Sequence, residues 1–165
     1  MRRHAAEKRE ITPDAVYDSV VLSKFINKVM RSGKKHTAEN IVYKSLEALF
    51  NNEYKNTNDT NLNKKEKTLE MLTDILRKVK PLMEVRSRRV GGATYPVPSV
   101  VRPSRAEMLA MQWIITGARQ RKGMSMFKAL SEELILAMKG EGHAFEMQKR
   151  VHAQAAANKA FEHLR

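Results

Sequence analysis

Cysteine is absent from the 165-residue chain. That excludes disulfides, thiolate-bound zinc and a cysteine nucleophile, and it suits a reducing compartment. Long apolar runs are missing too, so no bilayer-spanning helix is expected. The opening MRRHAAEKREITPD lacks the apolar core of a secretory leader, and its acids Glu7 and Glu10 argue against an uncleaved organellar transit peptide. Acidic residues are scarce: 18 Asp and Glu face 31 Lys and Arg, a formal charge of +13. An excess of that size points to a polyanionic partner. The basic residues are spread over several segments rather than along one amphipathic helix, so nucleic acid is the expected polyanion and a membrane surface is not.

Catalytic signals are missing as well. No pair among His4, His36, His143, His152 and His163 has the i, i+4 spacing of a metal-binding helix. Gly117 and Gly123 bracket Arg119 and Arg121, but no Gly-Lys-Ser/Thr follows to make a phosphate loop. The methionines fall mainly at helical core spacing, and Trp113 reads as core rather than as a stacking platform. No enzyme, metal, cofactor or small-molecule substrate is expected.

What is present is a core and an arm. Hydrophobic residues make up 42% of the chain, enough for one domain. Outside residues 83–101 the pattern is helical almost throughout. The expected fold is mainly α: a single six-helix domain over 18–165, an extended basic tail over 1–17, and a protruding two-stranded β-hairpin arm, residues 83–101, between helices three and four.

The arm can be read in detail. Gly91-Gly92 supplies the positive φ of a two-residue hairpin loop. Val90 then pairs with Ala93, and Pro96 and Pro98 fall at non-hydrogen-bonded positions, where a missing N–H costs nothing. One face carries Arg86, Arg88, Tyr95 and Val97. The other carries Ser87 and Arg89 near the tip, with Met83, Val85, Pro98 and Val100 as an apolar base that can dock on a helix. At about 3.3 Å per residue the arm reaches on the order of 25 Å. Its tip is basic on both faces, as a polyanion-entering arm requires. Tyr95, opposite Arg88, can stack on a base or on that guanidinium, or serve as an ordinary cross-strand pair.

Along the chain, the tail carries Arg2, Arg3, Lys8 and Arg9, and reads equally as a solubilising segment. Asp18 or Ser19 caps a first helix running to about Arg31. Its apolar face includes Leu22, Phe25, Ile26 and Val29, and its far side a Lys24, Lys28, Arg31 stripe. That stripe suits an anionic partner or a solvated face. Lys34 and Lys35 extend it into the turn at Gly33. Thr37 caps a second helix to about Phe50. Residues 51–67, NNEYKNTNDTNLNKKEK, read as an Asn/Lys-rich loop or disordered insert that can reach into the next helix. A third helix spans about Lys65 to Lys80 and stops at Pro81. Arg102 and Arg105 stand at the arm's root, and Pro103 opens a fourth helix to about Lys122, apolar over most of its girth and expected at the centre. Its basic end, Arg119, Arg121 and Lys122, also suits the helix dipole. Ser125 caps a fifth helix to Lys139, closed by Gly140 and Gly142. An alanine-rich sixth runs from about Ala144 to His163.

These segments resemble the small-subunit ribosomal protein seven family in its bacterial and organellar form. The resemblance is carried by AAEKREI (Ala5 to Ile11), KFINKVM (Lys24 to Met30) with Gly33-Lys34-Lys35, IVY (Ile41 to Tyr43), VRSRRVGGATYPVPSVVRPSR (Val85 to Arg105) and ANKAFEHLR (Ala157 to Arg165). Only residues 51–67 look foreign to it. The resemblance implies a helical domain with a β-hairpin arm that binds small-subunit rRNA directly and nucleates assembly of the subunit's head. It implies a place near the mRNA exit and exit-site tRNA, beside other head and platform proteins. The rRNA-binding residues it implies here are Arg2, Arg3, Lys8, Arg9, Lys24, Lys28, Lys34, Lys35, Arg86, Arg88, Arg89, Arg102, Arg105, Arg119 and Lys122. Arg86, Arg88 and Tyr95 would lie nearest mRNA and tRNA.

A second reading is a free DNA-bending protein with β-arms in the minor groove. Against it, the prolines sit back from the tip and six helices exceed what a clamp needs. The compartment stays open between a bacterial cytoplasm and an organelle. The missing transit signal favours a bacterium or an organelle-encoded gene, and the Asn/Lys-rich segment points towards a mitochondrial lineage.

Overall fold

The computed structural model describes residues 10–54 and 61–164. Among them are six α-helices and one antiparallel hairpin: α1 Val20–Val29, α2 Lys35–Glu53, α3 Asn61–Val79, β1 Met83–Val90, β2 Ala93–Val100, α4 Pro103–Gln120, α5 Met126–Lys139 and α6 Gly142–Ala157. A 3-10 helix, Lys159–Leu164, follows. The molecule is mainly helical, with the hairpin between helices three and four.

Each helix buries one stripe. Leu22, Phe25, Ile26 and Val29 of α1, Val42, Leu46 and Leu49 of α2, and Leu72, Ile75, Leu76 and Val79 of α3 enter one core. Burying a side chain of this kind contributes about 1.5–3 kcal/mol. The helix α4 does run through the middle, against α1, α3, α5 and α6, but it shares that place. The helix α5 packs on α2, α3, α4 and α6, with Ala129, Leu130, Leu134 and Ala137 all buried.

The ends of the elements show local chemistry at work. Ser19 Oγ accepts the Leu22 N–H at 3.4 Å and caps α1. The turn after α1 uses two left-handed residues, Ser32 (φ 53°) and Gly33 (φ 73°). Pro103 sits in the first turn of α4, where its missing N–H has no intrahelical partner to lose. The folded chain begins before residue 18. Asp14 is buried, its Oδ2 accepts the N–H groups of Val16 and Tyr17, and its backbone N–H reaches Ser19 O.

Several boundaries differ from expectation. The second helix starts at Lys35, with Lys34 in the cap position, so Thr37 lies inside the first turn and caps nothing. The segment 51–67 is helical at both ends: α2 continues to Glu53 and α3 starts at Asn61. Polar residues there extend amphipathic helices whose apolar stripes lie further in. The first helix stops at Val29, short of Arg31. Ser125 takes the cap position of α5 without a side-chain bond, and Gly142 opens α6 rather than closing α5. The sixth helix ends at Ala157, and the chain tightens into the 3-10 helix after Asn158, whose Nδ2 donates back to Gln154 O.

The hairpin has the expected register. Val90 pairs with Ala93, Arg88 with Tyr95, Ser87 with Pro96 and Val85 with Pro98. Its base is gripped on both faces rather than on one. Pro98 is buried, but so are Val97 and Glu84 on the opposite face, while Val100 is 60% exposed. Helix α6 and the 3-10 helix pack against the root, and Arg105 of α4 reaches Glu84.

Candidate nucleic-acid interface

Seven of the predicted basic residues, Lys24, Lys28, Arg86, Arg88, Arg102, Arg105 and Arg119, fall into two groups. The first lies where α1 crosses α4. A groove of about 480 Å³ runs between them, lined by Ile11, Lys24, Asn27, Lys28, Ser104, Glu107, Met108 and Met111. Beside it Lys28 and Arg119 share a shallow depression with Gln112, Ile115 and Thr116. The apolar face of α1 fixes this layout, because burying Phe25 and Val29 turns Lys24 and Lys28 outward. Glu107 then draws Lys24 and Lys80 together, each at 3.5 Å. Arg119 donates to Val29 O at 3.2 Å, tying α4 to the end of α1. Its role is therefore partly structural, although the residue remains exposed.

The second group is the arm and its root. Arg86, Arg88 and Arg102 line one depression with Ser87, Val97, Ser99 and Val100. Arg105, in the first turn of α4, joins them through Glu84. Glu84 Oε1 and Oε2 accept from Arg105 Nε at 3.0 and 2.8 Å, and Oε1 also accepts from Arg86 Nε. Burial pushes the Glu84 carboxyl up. The hydrogen bonds and charges of Arg105 and Arg86 outweigh burial and leave it below the usual glutamate range.

The remaining predicted residues are apart from both groups. Arg89 is exposed near the tip, one residue from Val90 and on the other face from Arg88. Lys34 and Lys122 are exposed at helix ends, and Lys35 pairs loosely with Glu39 at 3.9 Å. Arg2, Arg3, Lys8 and Arg9 lie outside the described residues. Among the described residues, Lys28, Lys34, Arg88, Arg89, Arg102 and Lys122 meet no carboxylate, so their charge is uncompensated. Tyr95 does not lie over Arg88. Its ring rests against Phe161, with centroids 5.6 Å apart and planes at 43°.

Sequence reading missed Glu84 and Glu107 as the acids that organise these cations. The Glu84 partner Arg105 lies on α4, 21 residues away, beyond the reach of local patterns. Sequence reading also missed Lys80, treated as the end of a helix.

The arrangement suits backbone recognition. Guanidinium and ammonium groups along open grooves and depressions can meet phosphates without a closed cavity. Among the described residues no group of three His, Cys, Asp or Glu is placed to hold a metal ion. No helix there is long and apolar enough to cross a membrane.

Comparison with known proteins finds relatives over the whole length of the chain. A family model described as ribosomal protein S7p/S5e matches residues 1–159. The small ribosomal subunit protein uS7 of Rhodobacter capsulatus is 48% identical over 164 residues, covering 99% of this chain and 98% of the relative. That of Petrotoga mobilis is 46% identical over 165 residues, covering 100% and 99%. That of Brachyspira hyodysenteriae is 45% identical over 168 positions, covering 99% and 98%.

Proposed function

The chain belongs to the ribosomal protein S7p/S5e family, and on that premise we propose that it is a structural, non-enzymatic constituent of the small ribosomal subunit that holds small-subunit rRNA. The observation that carries the reading is the set of uncompensated cations on two surfaces, Lys28 beside Arg119 and Arg88 beside Arg102. Contacts are mainly to phosphate and sugar, and RNA shape guides them. Lys24, Lys34, Lys35, Arg89 and Lys122 widen the footprint, and the tail residues Arg2, Arg3, Lys8 and Arg9 add to it. Membership of this family sets aside the free DNA-bending protein.

Finer assignments follow from the resemblance. The protein binds rRNA early and nucleates assembly of the subunit head. Its arm, through Arg86, Arg88 and Tyr95, lies near mRNA and exit-site tRNA. Neighbouring head and platform proteins cover apolar surface at the arm's base. A groove of about 570 Å³ there is lined by Leu82, Met83, Pro98, His152, Ala155, Ala156, Lys159 and Glu162, and Leu82 is 73% exposed. The ribosome served is of the bacterial type, in line with the bacterial relatives. One observation, the Asn/Lys-rich stretch 51–67, favours an organellar copy of that type, and cell fractionation separates the two compartments.

Co-sedimentation tests the function. Tagged protein should migrate with the small subunit in a sucrose gradient and stay there through a moderate salt wash. Protein that remained at the top of the gradient, or followed DNA, would contradict it.

A further inference from the structure

The acid at the arm's root is in an unexpected place. Glu84 is 7% exposed and occupies the same strand face as Arg86 and Arg88. A carboxylate inside a phosphate-binding surface should, by charge alone, repel the ligand. Its geometry says otherwise. A guanidinium carries five N–H donors. Glu84 engages Arg105 only through Nε, and both terminal nitrogens of Arg105 are without a partner among the described residues. It takes Arg86 through Nε and Nη2, which leaves Nη1 open. The two arginine side chains are 55% and 43% exposed, so their outer ends face solvent. Without the carboxylate, two like charges would share the root and each would sample its rotamers freely. Binding would then have to order them both.

We propose that Glu84 is a positioning residue for RNA backbone: it holds Arg86 and Arg105 as a fixed pair whose outer N–H groups grip phosphate. This rests on the reading of the chain as an rRNA-binding protein. It adds a sign that charge counting does not give. Arg105 comes from α4 and Arg86 from β1, so the same carboxylate also fixes the angle between the arm and the helical body. A phosphate held by both arginines is therefore bound at a set distance from the α4 surface.

The test is a filter-binding titration of full-length protein on transcribed small-subunit rRNA at several salt concentrations. Glu84→Gln makes the protein one unit more positive. It should nonetheless bind about tenfold more weakly, with a salt slope shallower by about 1. Glu84→Asp keeps the charge but shortens the reach, and should also weaken binding. Asp74→Asn, a matched charge change on α3 away from the arm, should leave affinity equal or slightly tighter. If Glu84→Gln fails to melt cooperatively, Glu84→Asp decides alone. Binding by both Glu84 variants as tight as wild type, with an unchanged or steeper slope, would overturn the proposal. Failure of the wild-type protein to bind rRNA would overturn the proposed function instead.

Discussion

The Tyr43 hydroxyl donates to Asp14 Oδ1 at 2.6 Å. This bond pins the segment before α1 to the middle of α2, and the Tyr17 ring completes the joint, 5.8 Å from that of Tyr43. Burial first, then the Asp14 hydrogen bond and charge, hold the Tyr43 hydroxyl well above the ordinary tyrosine range. A raised pKa in the folded state means the unfolded chain ionises first. The contribution is fully present below about pH 10, the ordinary tyrosine value, and is lost as pH rises beyond it. Tyr43→Phe should therefore cost about 2 kcal/mol at neutral pH, as for a hydrogen bond to a charged acceptor. The gap from wild type should narrow above pH 10 in urea denaturation. A gap that stayed constant to pH 11 would show that the hydroxyl is not the anchor.

Gly117 of α4 has no room for a side chain. A Cβ there would stand 2.8 Å from Glu133 Cδ and Oε1 and 2.9 Å from His143 Cβ. Glu133 is 1% exposed and cannot swing away freely. It accepts the Ala144 N–H at 3.0 Å at the start of α6, and Arg121 at 3.1 Å. Alanine gains about 1 kcal/mol in helix propensity, but overpacking costs about 1–3 kcal/mol and strains a buried ion pair. Gly117→Ala should be net destabilising in a thermal or urea melt. Increased stability would show that Glu133 yields.

At the arm's tip the constraint is backbone alone. Gly91 (φ 57°) and Gly92 (φ 91°) both lie in left-handed space, and nothing lies within 4 Å of either position. Gly92→Ala should cost on the order of 1 kcal/mol locally. Amides of Arg88, Val90 and Tyr95, which sit in the hydrogen-bonded pairs of the ladder, should then exchange about fivefold faster, with the midpoint of global unfolding unchanged. Equal losses in arm and core would contradict an arm that opens independently.

The sequence was most legible where one residue type forces one geometry. Pro96 and Pro98 dictated the hairpin register, and the period of Leu22 to Val29 marked a core face correctly. Legibility failed where a partner is distant in sequence. Glu84 reads as a lone acid until Arg105 folds against it, and Asp14 reads as tail until Tyr43 captures it. It also failed where local preference was overridden. Thr37 is a good cap residue, yet α2 begins at Lys35 because Ser32 and Gly33 turn the chain two residues earlier. The break at Asn158 had no proline or glycine to announce it. Of the described basic site residues, all but the half-buried Lys24 are exposed. Sequence alone could not separate Lys24, Arg86, Arg105 and Arg119, which also serve internal contacts, from Lys28, Arg88 and Arg102, which meet no carboxylate among the described residues.

The central claim is that the arm's arginines bind rRNA through charge on an otherwise complete fold. Its most direct test is the combined variant Arg86→Ala, Arg88→Ala, Arg89→Ala, titrated with small-subunit rRNA at fixed salt. The predicted result is an unchanged circular dichroism spectrum, an affinity reduced at least about tenfold, and a salt slope shallower by about 2 to 3. Affinity and slope equal to wild type in the folded variant would contradict it.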